Sequence, residues 1–387
     1  AASGAATVVN SGSITGTTAE GISGGTNATV TNNAGASITG SFYGIRAATT
    51  GGSSVFNAGT ISGGTAAIWF SGTGNTLTLA PGSVISGNVL GTGNDTFQLG
   101  GSGTATFDVS QLGATAQYRG FGTFNKVDNS SWTLTGISSF TGPVNVNGGT
   151  LLVNGDISSA SSLTVNAGGT LGGNGIIGNT TISGGTLAPG NASNPTDTLT
   201  VTGSLAFQSG AVYLVQVTPS GAASTAVAGT ATLNGATANA VFANGSYWVD
   251  KTSTIVTANG GLHGTFGRLV NTNLPAAFTS SLSYDATHAY LNLVLNYTPG
   301  STPSNPGSPN AGGQLSGNQQ GVGTALVNSF NANAGIPLVY GMLSAAGLTQ
   351  VSGELATASQ QTTFDATSQF MGLLTDPFMQ RNGAPAA

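Results

Sequence analysis

The chain has 387 residues and a formal net charge of −5, from 11 acidic and 6 basic side chains. Only 4% of its residues are charged, against about 25% in ordinary globular domains, and no basic cluster occurs. Because nucleic-acid binding requires lysine and arginine to neutralise phosphates, this composition excludes that class of partner. The 63 glycines and the abundance of Val, Ile, Thr, Ser and Asn favour an ordered β-structure.

The first 100 residues contain four copies of one repeat. Each copy has an isoleucine beside glycine, and these are Ile14, Ile38, Ile61 and Ile85. Each copy opens on a turn residue, and these are Asn10, Asn33, Asn57 and Pro81. A second apolar pair follows each isoleucine, and these pairs are Gly21–Ile22, Gly44–Ile45, Ala67–Ile68 and Val89–Leu90. Self-similarity at this period predicts a solenoid whose copies stack about 4.8 Å apart, isoleucine on isoleucine.

Large side chains are concentrated around residues 101–140, where the repeat is less regular. We interpret the following residues as core fillers where the coil widens, rather than as a binding platform: Trp69, Trp132, Phe121, Phe124 and Phe140.

A second, tighter repeat occupies residues 140–190. Each unit contains Gly-Gly-Thr-Leu, ending at Leu151, Leu171 and Leu187. The leucines are 20 and then 16 residues apart, so the coil is predicted to narrow toward its C-terminal cap.

The rest of the chain divides by composition. Residues 196–297 contain longer apolar strands, which we interpret as a cap on the solenoid of residues 1–195, because an open end needs covering. Residues 298–313 form a Pro/Gly/Ser-rich linker, and residues 314–387 have a helical period. The last helix is predicted at about Glu354–Thr375, roughly 33 Å long, which matches a bilayer core. Its glutamines forbid contact with lipid, so it fits either the inside of a water-filled barrel or a soluble helix pair.

Several segments resemble the passengers of classical autotransporters of Gram-negative bacteria. Val144–Leu152 and Leu163–Leu171 are similar to the autotransporter-associated β-strand repeat. Two stretches are similar to the segment leading into the autochaperone region: Thr186–Gly190 followed by Leu199–Gly203, and Gly260–Gly267 followed by Leu282–Asp285 and Tyr290–Leu293. Leu348–Glu354 looks like the element just before the barrel. Each motif is weak alone, and their order along the chain makes the resemblance specific.

This resemblance implies a right-handed parallel β-helix that is exported and displayed at the cell surface. It implies a structural or adhesive stalk without catalytic activity or cofactor, whose residues 196–297 promote vectorial folding during export. The expected partners are the chain's own outer-membrane barrel, reached through the linker helix, and a host-surface or self-association ligand. Because the sequence ends at Ala387, the barrel itself is expected to be absent from it.

Two alternatives remain open on the same scaffold. A polysaccharide-active enzyme would need acids such as Asp95, Asp108 and Asp128, together with Arg119, in one groove. A calcium-stabilised binding module would use Gly91–Phe97, which fits one calcium-binding nonapeptide. One copy supplies too few oxygens for calcium, so Asp95 is only a weak calcium candidate.

Other chemistry finds little support in the sequence. Zinc needs three or four nitrogen or sulfur ligands, and the chain has two histidines, His263 and His288, and no cysteine. A Ser-His-Asp triad would pair one of them with Asp285, but no nucleophile-elbow motif is present. Gly173–Gly178 matches a dinucleotide fingerprint only in its glycine spacing and is interpreted as a turn.

Overall fold

The computed structural model describes most of the chain. The described residues are 6–25, 27–47, 52–245, 247–248, 250–275, 278–295, 315–333, 336–341 and 343–375. They form an all-parallel β-solenoid of about ten turns with short helices at the C-terminus, which confirms the predicted fold class. The predicted linker at 298–313 lies outside the described residues.

The largest sheet, sheet 1, has 15 strands. Its strands are β1 (Thr7–Asn10), β3 (Ile22–Gly24), β4 (Thr29–Asn32), β6 (Tyr43–Ala47), β7 (Ser54–Asn57), β9 (Ala66–Phe70), β10 (Thr76–Leu79), β12 (Val89–Leu99), β14 (Tyr118–Lys126), β16 (Val144–Val146), β18 (Leu163–Asn166), β21 (Thr180–Ser183), β24 (Leu205–Phe207), β27 (Ala231–Thr232) and β30 (Leu262–His263).

Three smaller sheets form the other faces of the coil. Sheet 2 contains β2 (Ser13–Gly16), β5 (Ser37–Gly40), β8 (Thr60–Gly63) and β11 (Val84–Ser86). Sheet 3 contains β13 (Thr104–Asp108), β15 (Ser131–Thr135), β17 (Gly149–Val153), β19 (Gly169–Gly173), β22 (Thr186–Pro189), β25 (Val212–Val217), β28 (Thr237–Phe242) and β31 (Arg268–Thr272). Sheet 4 contains β20 (Ile176–Ile177), β23 (Thr198–Val201), β26 (Ser224–Val227), β29 (Asp250–Ala258), β32 (Phe278–Tyr284) and β33 (His288–Leu295).

Helices are few. A single 3₁₀ turn, Val109–Gln111, follows β13, and the C-terminal helices are α1 (Gly317–Asn333), α2 (Leu338–Gly341), α3 (Ala345–Ser352) and α4 (Glu354–Thr375). The bounds of α4 are those predicted from the helical period. By contact density the chain forms two units, of which the first holds most of the solenoid and the second holds these helices with Ser246–Lys251 and Pro275–Thr279.

The predicted ladders are present in the strand register. In sheet 2, each isoleucine of the first repeat pairs with the next, and the two inner ones, Ile38 and Ile61, are fully buried. In sheet 3, Leu151, Leu171 and Leu187 stack on one another and are also fully buried. Burial of a Leu or Ile side chain stabilises a fold by about 1.5–3 kcal/mol, so these columns form a continuous core.

The structure corrects one position of the first repeat and resolves one pair. Asn32, not Asn33, aligns with the asparagines of the neighbouring turns, because the second copy has two extra residues between this asparagine and its isoleucine. Of the pair Val89–Leu90, Val89 stacks on Ile68 in the core, because Leu90 pairs with an outward-facing residue of β9. Leu90 is therefore half-buried at the surface.

The turns narrow toward residue 196, as predicted from the leucine spacing, and widen again after it. Paired residues of β18 and β21 are 17 positions apart, as in Leu163 with Thr180, and this is the tightest part of sheet 1. The spacing then grows to 25 between β21 and β24 and to 31 between β27 and β30. Longer strands such as β25 and β28 need more residues per turn, so the coil widens again before its end.

A wide part of the core in the middle of the coil is filled by aromatic rings, as the sequence predicted for four residues. Trp132, Phe121, Phe124 and Phe140 are buried where the strands of β12 and β14 pair with offsets of 26 to 29 residues. Phe97 lies at the centre of this cluster, with ring centroids 5.1–5.6 Å from those of four neighbouring aromatic side chains.

One column of sheet 1 changes chemistry along the chain. It begins with the buried amides Asn10, Asn32 and Asn57, in which each side-chain nitrogen donates to the next side-chain oxygen at 2.8–2.9 Å. The same column then continues through residues that are mostly aliphatic: Leu79, Leu99, Lys126, Val146, Val165, Ile182 and Phe207. We call the first part the asparagine ladder and the second part the aliphatic column.

Lys126 interrupts the aliphatic column as a fully buried cation. Its Nζ donates to the backbone carbonyls of Val127, Asp128 and Gly148 at 2.6, 3.2 and 3.0 Å. Gly149 lies beside it in the left-handed region, and a Cβ there would come within 2.7 Å of Nζ, so glycine makes room for the ammonium group. Burial lowers the pKa of Lys126 to about 8, and the Asp128 carboxylate opposes that shift.

Tyr213 is a buried tyrosine that packs and forms hydrogen bonds in the last turns of the solenoid. The ring of Tyr213 stacks on Phe266 with centroids 5.6 Å apart, and its hydroxyl donates to the carbonyl of Ile255 at 2.5 Å. Strands β32 and β33 then follow as a hairpin, closed by the bond from the Asp285 N–H to the His288 carbonyl. Parallel pairing continues past residue 196 as far as β31.

Candidate functional site

The outward face of sheet 1 contains one column with charged and aromatic side chains. Arg46, Trp69, Leu90 and Arg119 pair in register on β6, β9, β12 and β14. All four are half-buried. Because paired residues of neighbouring parallel strands lie about 4.8 Å apart, their side chains form a continuous strip across four strands. We call it the arginine–tryptophan column.

Trp69 is the centre of a packed cluster at one end of this column. The guanidinium carbon of Arg46 lies 5.1 Å from the centroid of the indole ring, which is cation–π distance. The ring of Tyr43 is 5.0 Å from the same indole, tilted by 34°. Glu20 accepts from Arg46 Nη1 at 3.4 Å, with side chains 20% and 43% exposed respectively, so this ion pair is screened by solvent.

Arg119 occupies the other end of the column and is held by different partners. Its Nε donates to the Ala116 carbonyl at 2.5 Å, and one terminal nitrogen donates to Asn88 Oδ1 at 3.2 Å. Gln117, on the same segment, donates to the carbonyls of Ile85 and Gly87. These bonds fix the loop that carries Arg119 against the preceding turn.

Both guanidinium groups keep donors available. An arginine has five N–H donors. Within the described part of the chain, Arg46 uses one of them for Glu20 and Arg119 uses two for Ala116 and Asn88. The remaining N–H groups are oriented by partners that hold each guanidinium in place, which suits them to a carboxylate or another oxyanion.

The structure corrects the interpretation of Trp69 as a core filler. Its strand neighbours Ile68 and Phe70 are fully buried, so alternation along β9 places Trp69 on the outer face. Arg46 lies between the buried Ile45 and Ala47 in the same way. No alternation of apolar and polar residues is visible in the sequence around Trp69, since Ala67-Ile-Trp-Phe70 is apolar throughout.

The acids considered for polysaccharide cleavage lie on different strands and turns and are engaged in separate structural bonds. Asp95, on β12, is fully buried, and its two oxygens accept from the N–H and side-chain donors of Asn75 and Thr92. Asp108 caps the 3₁₀ turn by accepting from the Ser110 N–H, and hydrogen bonds from the side chain and the backbone of Ser110 lower the pKa of its carboxyl. Asp128 accepts from the Gly101 N–H at 2.7 Å.

The same bonds bear on the calcium candidate. Both oxygens of the Asp95 carboxylate already accept hydrogen bonds, and the groups bonded to them are donors from Asn75 and Thr92. Calcium would instead need six to eight oxygen ligands around it. Within the described residues, no group of three or more His, Asp or Glu side chains is placed to hold a metal ion. Asp95 therefore has a complete set of protein partners as the structure stands.

Of the Ser-His-Asp arrangement considered above, the structure contains the contact between histidine and aspartate. His288 Nδ1 lies 3.0 Å from Asp285 Oδ1, in the hairpin turn between β32 and β33. Asp285 also accepts from the backbone N–H of Thr287, the Tyr290 hydroxyl and the His288 N–H, and these bonds hold the pKa of its carboxyl well below the usual range. Among the described residues, the other side-chain partner of His288 is Thr287, and no serine completes the arrangement.

A groove of about 330 Å³ lies next to the Arg119 end of the column. Its lining includes four residues that flank the loop at 113–117, namely Tyr118, Phe121, Ser139 and Phe140, and it is otherwise formed largely by glycine backbone. The three aromatic rings are buried, so the groove offers mainly backbone and hydroxyl groups.

Among the described residues, none of the helices combines the length and the hydropathy that a membrane-spanning helix requires.

No protein-family model matches the sequence, and no curated protein is significantly similar to it.

Proposed function

We propose that the chain is the exported stalk of a Gram-negative autotransporter, with a structural and adhesive role at the cell surface. The observation that supports the proposal is the order of the parts. An all-parallel solenoid is followed by longer strands that end in the β32–β33 hairpin, and then by the 22-residue helix α4. This is the order that the autotransporter resemblance implies for passenger, autochaperone region and linker helix.

A stalk needs length and local stability, and the solenoid provides both. About ten turns at about 4.8 Å each span roughly 48 Å. Each turn contacts mainly its neighbours, so stability is close to a sum of turn and interface contributions. Such a fold does not need one central core to be complete before other turns can form.

A non-catalytic role agrees with the placement of the acids. Asp95, Asp108 and Asp128 each accept hydrogen bonds that hold a turn or a buried segment. A general acid for glycoside cleavage needs a raised pKa and a second carboxyl across the scissile bond. Asp108 has the opposite property, since its pKa is lowered by the Ser110 bonds.

Export is tested on the natural protein in its own bacterium. Intact cells are treated with an external protease, and fragments from residues 6–295 are followed with antibodies, with a periplasmic protein as the control for cell integrity. The proposal expects the epitopes to be accessible on intact cells and the solenoid to resist cleavage. Detection of these epitopes only after lysis would overturn it.

The proposed vectorial folding is tested with two matched core truncations. Tyr213→Ala removes a fully buried side chain from the last turns, and Ile38→Ala removes one from the first turns. If folding proceeds from the C-terminal end, Tyr213→Ala should slow refolding of the whole solenoid and lower surface display, whereas Ile38→Ala should affect only the first turns. Equal effects of the two variants on refolding would contradict that direction of folding.

A further inference from the structure

We propose that the arginine–tryptophan column binds an acidic polysaccharide, in which the carboxylates of uronate sugars engage Arg46 and Arg119. The ligand class deepens the proposed function and rests on it, because polysaccharides are the polymers that a surface-displayed stalk meets. The site needs no catalytic residue.

The first step is the distribution of positive charge. The chain has only 6 basic side chains, and two of them lie on this strip. They are separated by three strand spacings, about 14 Å at about 4.8 Å per strand. The acid bonded to an arginine of the strip is Glu20. The Asp95 carboxylate lies beside Gly91 but is fully buried, and it accepts hydrogen bonds from Asn75 and Thr92. Among the described residues, the solvent-accessible charges of the strip are therefore two arginines and one glutamate.

The second step is the geometry of the donors. A guanidinium presents a planar fork that matches the two oxygens of a carboxylate. The guanidinium carbon of Arg46 lies over the Trp69 ring at 5.1 Å from its centroid, and Arg119 is bonded to Ala116 and Asn88, so less side-chain freedom is lost when an anion binds. Two oriented forks about 14 Å apart fit an extended ligand with several carboxylates better than one small anion.

The third step is the surface between the arginines. Trp69 and Leu90 are half-buried and provide an apolar strip of two residues. Sugars combine C–H faces with hydroxyl groups, so they match a surface with apolar patches and amides nearby. Asn88 lies beside Arg119 and is half-buried, so its side-chain amide can meet ligand hydroxyls.

The test uses the purified full chain and tetragalacturonate as the probe, followed by isothermal titration calorimetry. Maltotetraose, a neutral sugar of the same length, reports on binding without carboxylates, and inorganic sulfate reports on binding of any small anion. Arg46→Gln and Arg119→Gln each remove one fork. Arg268→Gln is the matched control, because it removes the same charge from an exposed position on β31 in another sheet. Thermal melts establish that each variant is folded.

We expect tetragalacturonate to bind the wild-type chain and each fork variant to raise its Kd about tenfold, since a hydrogen bond to a charged group contributes about one such factor or more. Arg268→Gln should leave Kd within about twofold of wild type, and maltotetraose should bind at least tenfold more weakly. The proposal is overturned if tetragalacturonate fails to bind at several millimolar, if sulfate competes with it at equal concentration, or if Arg268→Gln weakens binding as much as Arg119→Gln.

The binding and export experiments fail independently. If the chain is displayed on cells but does not bind tetragalacturonate, only the ligand assignment is overturned. A chain that binds tetragalacturonate through Arg46 and Arg119 but is never accessible on intact cells overturns the proposed export and leaves the site in place.

Discussion

The first and the later turns of the solenoid solve the same stacking problem with different chemistry. In the asparagine ladder, Asn32 is fully buried and its amide contacts both neighbouring turns. In the aliphatic column, Val146 and Val165 occupy the equivalent position and are fully buried without any polar group. Hydrogen bonds between side-chain amides are directional and fix one strand register, whereas aliphatic contacts tolerate small displacements.

The comparison indicates where the solenoid is sensitive to substitution. A buried amide that loses its partner leaves other polar groups without hydrogen bonds, which costs about 1–3 kcal/mol for each group. A shortened aliphatic side chain leaves a cavity, whose cost depends on how far the neighbours relax. We expect the following effects on stability, in decreasing order of size.

Asn32→Leu should have the largest effect. It removes donors to Asn57 Oδ1 and the Thr60 carbonyl and an acceptor for Asn10, so we expect a loss of at least about 3 kcal/mol, confined to the first turns. Native-state hydrogen exchange measures this loss strand by strand. Asn33→Leu is the control, because its side chain makes one exposed bond to Ser11 and should change stability by less than about 1 kcal/mol. Equal losses for the two variants would mean that the ladder does not fix the register.

Lys126 should make the stability of the later turns depend on pH. Its folded-state pKa of about 8 lies below its ordinary value of 10.5, so between these values the unfolded chain keeps a proton that the folded chain has released. Raising the pH through this window therefore favours the folded state, by on the order of 3 kcal/mol at its upper end. Chemical denaturation at pH 7 and pH 9.5 measures most of this rise.

Lys126→Met isolates the contribution of the buried ammonium. The variant should lose the rise in unfolding free energy between pH 7 and pH 9.5, whereas Lys251→Met, at a half-buried lysine, should retain it. Burial raises the pKa of Tyr118 and Tyr213, which favours the unfolded state at higher pH, so the difference between variants is the relevant quantity. Identical pH profiles for wild type and Lys126→Met would show that the ammonium is not desolvated.

Arg46→Gln should change stability only slightly. Its contacts with Glu20 and Trp69 are partly exposed, and such ion pairs and cation–π contacts contribute up to about 1 kcal/mol. A thermal melt should therefore shift far less than for Asn32→Leu. A loss as large as that of Asn32→Leu would assign the arginine–tryptophan column to structural support of the first turns.

Removal of calcium should have the smallest effect. Asp95 already accepts four hydrogen bonds from Asn75 and Thr92, so we expect thermal melts with and without EDTA to coincide. A melting temperature lowered by EDTA and restored by calcium would support the calcium-stabilised module instead. Asp95→Asn, which keeps the shape of the side chain, would then remove the response.

Repetition made the fold predictable from the sequence. The register of Ile38 on Ile61 and of Leu151 on Leu171 follows directly from the spacing of the copies. Local insertions were harder to place, because two extra residues before Ile38 shift the ladder to Asn32 without changing the repeat pattern. The widening of the last turns was not predicted, because the spacing of three leucines says nothing about the longer strands that follow.

The candidate site was less predictable than the fold. Alternation of burial around Ile68 and Phe70 places Trp69 outside, but the apolar character of the indole suggested the core. The pairing of Arg46 with Trp69 and of Leu90 with Arg119 depends on strand register across four turns, and the irregular pairing of β12 with β14 is not visible in composition. Chemistry that depends on distant turns requires the three-dimensional register.

Lys126 also bears on errors of assembly in a repetitive chain. Turns with similar sequences can stack against the wrong neighbour, since one aliphatic position is nearly equivalent to the next. A lysine cannot take part in such an exchange without cost, because its ammonium needs the carbonyl of Gly148 and the space left by Gly149. A single charged residue in a column of similar aliphatic residues thus selects one stacking register, because any other register would leave a buried charge without hydrogen-bond partners.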